Sequence, residues 1–140
     1  MSSVFGRFYL LLLLAATLAY PIGAHAQTNP VAAKTSVPRY LVYFDEFSAY
    51  LSPQSKTIIA RAAKQAKAVG AKTITVQARA SATGTVQTNK YLAMTRASIV
   101  ADELEANGIA PAMVQQEPIG QTGSGDPSVF NRRVDIILHP

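Results

Sequence analysis

Residues Val76–Ala97 read VQARASATGTVQTNKYLAMTRA. The segment opens inside a longer run from Thr73, in which Ile74, Val76 and Ala78 alternate with Thr73, Thr75, Gln77 and Arg79. Period-two alternation predicts a strand over Thr73–Arg79. Ala80–Thr85 is a loop of small residues containing Gly84, and Val86–Asn107 then has neither Pro nor Gly before the helix stop Asn107-Gly108. With Leu92 at zero on a helical wheel, Ala93, Ala97, Val100 and Leu104 gather between roughly 80° and 140° and form the predicted buried stripe. Asn89, Arg96 and Glu103 fall at about 60°, 40° and 20°, a polar line along the edge of that stripe. The helical neighbours of Arg96 are Leu92, Ala93, Ile99 and Val100, so no carboxylate of its own helix can pair with it. A half-buried guanidinium without a local acid needs a tertiary or ligand acceptor. An ion pair with Asp45, or a head group that snorkels past the core, would serve as well as a ligand. Asn89 has two readings of the same kind, a ligand contact or a polar residue serving the loop before the helix.

Outward from this segment the pattern repeats. Tyr40–Asp45, YLVYFD, is apolar on both faces until Asp45 and predicts a first strand inside a covered sheet. Ser52-Pro53 offers an N-cap followed by proline at the first helical position. Ile58, Ile59, Ala62, Ala63, Ala66 and Val69 then recur at helical spacing up to Gly70, opposite Lys56, Arg61, Lys64 and Lys67. Met113–Ile119 predicts a third strand, Gly120–Val129 a loop, and Arg132–Leu138 a last strand with Val134, Ile136 and Leu138 on one face. The order β-α-β-α-β-β predicts an α/β (α+β) two-layer sandwich with the helices packed on a mixed sheet.

The amino terminus has a different character. Met1–Ala26 carries one charge at Arg7, an apolar stretch Phe8–Tyr20, a Pro21 and Gly23 break and the small-residue site Ala24-His25-Ala26. This reads as a secretory signal peptide cleaved after Ala26, because the apolar stretch is short of the roughly 20 residues that cross a bilayer. The alternative is an uncleaved anchor. Gln27–Pro38, with two prolines, reads as a linker, so residues 39–140 form the domain, with no transmembrane segment expected after cleavage.

The 140 residues include no cysteine, which excludes disulfides, thiolate nucleophiles and cysteine-based metal sites. Of the two histidines, His25 lies in the leader, and His139 reads as a solvated tail residue, so no triad or two-histidine metal site is expected. No cofactor is implied. Asp45 and Glu46 are adjacent and would point to opposite faces of a strand, which argues against a carboxylate-pair hydrolase. The formal charge of +5 falls to +4 without Arg7 and is dispersed, which suits an anionic envelope polymer or membrane surface better than nucleic acid.

Three blocks together resemble the OmpA-like C-terminal domain, the peptidoglycan-associating module of Gram-negative envelope proteins. The central family pattern V-x-G-H-T-D-x-x-G-x4-N-x-x-L-S-x-x-R-A is met at Val76, Gly84, Asn89, Leu92, Arg96 and Ala97. Tyr43–Pro53, YFDEFSAYLSP, resembles the family's first strand and the start of its first helix. Asn131–Ile136, NRRVDI, resembles its closing strand. The departures fall together at Ala78, Arg79, Ala80 and Ser81, where the family has G-H-T-D.

The resemblance implies a non-enzymatic module that binds the diaminopimelate of the peptidoglycan stem peptide. Arg96 would take the carboxylate and Asn89 would add a hydrogen bond, with Leu92, Gly84 and Asp45 around them. The loop aspartate that would take the ammonium is Ser81 here. Loss of one charged hydrogen bond is worth about 1.5 to 3 kcal/mol, so association is expected to be weak or altered. Asp45 or Asp126 could supply an anion, and Arg79 would add a positive charge that disfavours an ammonium. The alternative is a pseudo-binding scaffold of the same fold that docks a protein partner in an envelope complex. Either reading implies the periplasm, free or peripheral to the outer membrane.

Overall fold

The computed structural model describes residues 36–122 and 129–140. The predicted signal peptide, residues 27–35 of the predicted linker, and Asp126 lie outside the described residues.

Strand β1, Arg39–Tyr43, leads through a turn to helix α1, Pro53–Ala68. The Ser52 hydroxyl accepts from the Ser55 amide at 3.1 Å and Pro53 takes the first helical position, as the sequence predicts. Gly70, at φ +64, ends the helix in a left-handed conformation. Strand β2 is Thr73–Ala80, helix α2 is Val86–Ala106, strand β3 is Val114–Gln121 and strand β4 is Arg133–His139. The start of α2 is capped by Thr85, whose hydroxyl accepts from the Thr88 amide at 3.1 Å. Pro111–Met113 forms a 3-10 turn, so the third strand begins at Val114 and not at Met113.

The four strands are ordered β1-β4-β2-β3. β4 pairs antiparallel with both β1 and β2, and β2 pairs parallel with β3 across the α2 connection. The helices pack on one face. Val42, Ile74, Val76, Ala78, Val134, Ile136 and Leu138 from the sheet meet Ile59, Ala62, Ala63, Ala66, Ala93, Ala97, Val100 and Leu104 from the helices in one apolar core. The predicted stripe of α2 is completely buried. Small alanines on both helices let the two layers approach closely, and burying this apolar surface supplies the main drive for folding.

The first strand corrects its prediction. β1 is an edge strand with one face uncovered, and it ends at Tyr43, which is exposed. Its apolar run reflects Val42 and Phe44 pointing to the core, with Phe44 beyond the last strand residue. Asp45 and Glu46 sit in the following turn, both exposed, and so do not occupy opposite faces of a strand. His139 is part of β4, and its Nε2 lies 3.0 Å from the Thr75 hydroxyl, so it is tied to the sheet.

The uncovered face of the sheet is polar. Asp135 is fully buried there beneath arginines: Arg79 Nη1 lies 2.7 Å from its carboxylate, Arg133 Nε 2.8 Å and Arg39 Nη1 3.7 Å. Arg133 and Asp135 of the closing strand, with Arg79 of β2, thus hold the open face together by charge.

Candidate functional site

The candidate site forms where β1 and β2 end and α2 begins. Arg96 projects from the middle of α2 and is fully buried. Its Nε donates to the Ser48 carbonyl at 2.9 Å, Nη1 to the Arg79 carbonyl at 3.0 Å and Nη2 to the Asp45 carbonyl at 2.9 Å. The guanidinium carbon lies 5.0 Å from the centre of the Phe44 ring, in range of a cation–π contact. Among the described residues no carboxylate pairs with it. The tertiary acceptor demanded by the sequence is therefore a set of three backbone carbonyls, with the Asp45 carboxylate left exposed. Burial, and after it the charge of Arg132, lowers the pKa of Arg96 to about 10. It remains a cation at neutral pH.

A guanidinium has five N–H donors, and three bonds leave one hydrogen on each terminal nitrogen. Those hydrogens are sealed from solvent here. An anion could reach them only if the turn at Asp45–Ser48 or the loop after β2 moved.

Asn89 is also buried, and its Nδ2 donates to Gln121 Oε1 over a long 3.4 Å. Seven residues separate it from Arg96, about 10 Å along the helix. The two predicted polar contacts therefore do not converge on one atom. They lie about two turns of α2 apart, with Leu92, half-buried, between them. Ser81 follows the last residue of β2 and is buried, two residues beyond the carbonyl that receives Arg96. Gly84 is exposed at φ +94. Near Asn89's partner Gln121, the Thr122 Oγ1 is buried without a hydrogen-bond partner.

Arg79 departs from its expected role. Successive strand residues face opposite sides of a sheet, so while its carbonyl meets Arg96, its side chain lies on the open face against Asp135 and Gln77. Its charge is spent on Asp135 and does not face the site. The pattern of the sequence also gave no sign that Phe44 lies against Arg96. The carbonyls of Ser48 and Arg79 could not be found from residue types at all, since every residue carries one.

Two grooves lie elsewhere. One of about 580 Å³ runs between α2 and β3, lined by Met94, Thr95, Ser98, Ile99, Gln116 and Pro118. Among the described residues no cluster of three or more His, Asp or Glu could hold a metal ion, and no helix is long and apolar enough to cross a membrane.

The fold agrees with comparisons to known proteins. Among solved structures the chain is similar to the peptidoglycan-associated lipoprotein from Burkholderia pseudomallei, at 24% identity and a TM-score of 0.63 over 71% of this chain and 90% of that one. It is similar to the OmpA-like domain of FopA1 from Francisella tularensis subsp. tularensis SCHU S4, at 22% identity and 0.64 over 73% and 72%. The C-terminal domain of Helicobacter pylori MotB matches at 24% identity and 0.62 over 71% and 84%. No curated protein matches the chain. At such identities the solved structures speak for the fold. The sequence model of the OmpA family matches residues 43–132, a span that takes in β1's end, both helices, β2, β3 and the Arg96 site; the chain belongs to the OmpA family.

Proposed function

We propose that the protein is a periplasmic, non-enzymatic envelope module that associates non-covalently with peptidoglycan through its diaminopimelate stem peptide, weakly or with altered preference. One observation carries the reading. Arg96 is a buried cation with two N–H groups to spare and no carboxylate among the described residues. A buried charge without a counter-ion is costly, and a ligand carboxylate would neutralise it. Asn89 lies about two turns away on the same helix and could receive a further polar group of the ligand. Ser81 stands where the resemblance expects the acid that holds the ammonium, which is the reason for weak association. The similar lipoprotein from Burkholderia is described as peptidoglycan-associated, which favours the same class of ligand here. A periplasmic location, free or peripheral to the outer membrane, accords with that ligand.

A second reading has its own support. Three carbonyls already hold Arg96 and no part of it reaches solvent, as suits a structural residue in a scaffold that docks a protein partner.

Co-sedimentation with insoluble diaminopimelate-type peptidoglycan separates the two, using wild type beside Ser81→Asp. The binding reading expects wild type in the pellet and about 10- to 150-fold tighter association for Ser81→Asp. Wild type in the supernatant with Ser81→Asp in the pellet would mean a site switched off by substitution, and the scaffold reading would stand. Failure of both variants to pellet would remove peptidoglycan as the ligand.

A further inference from the structure

The turn between β1 and α1 is built around an unfavourable residue. Its Ser48 amide donates to the Asp45 carbonyl at 3.2 Å, and Arg96 binds the carbonyls at both ends. Within it Phe47 has φ +54, the sole non-glycine among the described residues in the left-handed region. Glycine or asparagine would hold that conformation at little cost, whereas a bulky residue is strained there. Packing does not offset the strain, because Phe47 is 59% exposed. Strained conformations persist where something else maintains them, and they gather at ligand sites.

The ring of Phe47 leans on the loop after β2. A Cβ at Gly84 would stand 3.6 Å from Phe47 Cε1, an ordinary contact distance, so the ring lies next to the loop at Gly84. Asp45 and Glu46, both exposed, belong to the same turn. Two carboxylates and an open aromatic face are the groups that receive an ammonium ion. The loop itself offers no anion, since Ala80–Thr85 contains no acid. The rim of the site is thus acidic and aromatic above a buried cation, the arrangement a zwitterionic group would match.

We infer that Phe47 is a specificity-determining residue whose ring, exposed in the same turn as Asp45, receives the ammonium of the ligand's zwitterionic end. This rests on the peptidoglycan reading above. The turn takes over the role that an acid at position 81 would have, and Arg96, which takes the carboxylate in that reading, also orients the turn through the Asp45 and Ser48 carbonyls.

The test compares binding of two synthetic stem tripeptides by calorimetric titration of the purified protein. One ends in diaminopimelate with its side-chain amine free, and the other has that amine acetylated. Wild type should prefer the free amine. Phe47→Leu, which keeps the apolar bulk and removes the ring, should reduce that preference about 2- to 5-fold. Phe47→Tyr should retain it, and Phe47→Asn, which suits the left-handed conformation, should lose it while folding normally. Equal preference in wild type, Phe47→Leu and Phe47→Asn would overturn the inference, as would a wild type that binds both tripeptides equally. A wild type that binds neither tripeptide would instead remove the peptidoglycan reading, and this inference with it.

Discussion

Arg96 holds the backbone carbonyl of Asp45 at 2.9 Å and leaves the Asp45 carboxylate to solvent. The two residues are coupled through the main chain, so the charge of Asp45 should contribute almost nothing to folding. Asp45→Asn should change stability by less than about 0.5 kcal/mol. Arg96→Lys keeps the charge but cannot reach the carbonyls of Asp45, Ser48 and Arg79 together, and should cost about 3 kcal/mol or more through stranded acceptors. Urea unfolding of the two single variants and the double variant checks this. A coupling energy above about 1 kcal/mol would mean that the side chains do pair.

Phe47 gives a prediction of opposite sign. Replacing it by Asn or Gly relieves a left-handed phenylalanine and removes exposed apolar surface. The turn should become more stable by about 1 kcal/mol, seen as a higher urea midpoint with an unchanged slope. Destabilisation would show that the ring's contact with Gly84 matters more to the fold than its strain.

How far the sequence led can be seen at these same residues. Alternation and helical spacing gave all six main elements within a residue or two, because β2 and α2 carry their buried faces in Ile74, Val76, Ala93, Ala97, Val100 and Leu104. The wheel placed Arg96 and Asn89 at the core edge, and both are buried. The partners were not legible. Arg96 reaches Asp45 and Ser48 across roughly fifty residues of chain, and carbonyl acceptors leave no mark on residue type. The motif position of Arg79 is not a site position. The strand period already sends Arg79 to the face opposite Ile74, Val76 and Ala78, where Asp135 waits. The left-handed Phe47 carries no signal at all, since nothing in its neighbours announces a turn that forbids its own side chain.

The lowered pKa of Arg96 sets a window of pH. The folded state releases this proton near pH 10 and the unfolded state at a higher pH. Below about 10 both states are charged and the burial cost is constant; as pH rises above that the folded state sheds its charge first, and this group's effect on stability becomes less unfavourable. The guanidinium carbon resonance of Arg96 should therefore stay constant from pH 6 to 9 and move only near 10. A carboxylate that binds against Arg96 should push the transition upward, because an opposite charge favours the cation. Movement of that resonance below pH 9 would contradict the geometry.

Asp135 tests whether the open face of the sheet is held by charge. Its carboxylate is fully buried beneath Arg79 at 2.7 Å and Arg133 at 2.8 Å, while Arg39 stands off at 3.7 Å with its side chain 54% exposed. Removing the common partner leaves two largely covered guanidinium groups without a counter-charge, and breaking such a pair from one side costs more than the pair itself contributes. Both arginines keep some contact with water, so Asp135→Asn should cost about 2 to 4 kcal/mol, below the loss for a sealed pair. Arg39→Ala, acting on the long and exposed contact, should cost less than about 0.5 kcal/mol. The pattern is specific to this geometry: equal losses for the two variants would mean that Arg39 shares the carboxylate fully, and a negligible loss for Asp135→Asn would mean that cross-strand packing of β1, β4 and β2, and not the arginine cover, holds the face.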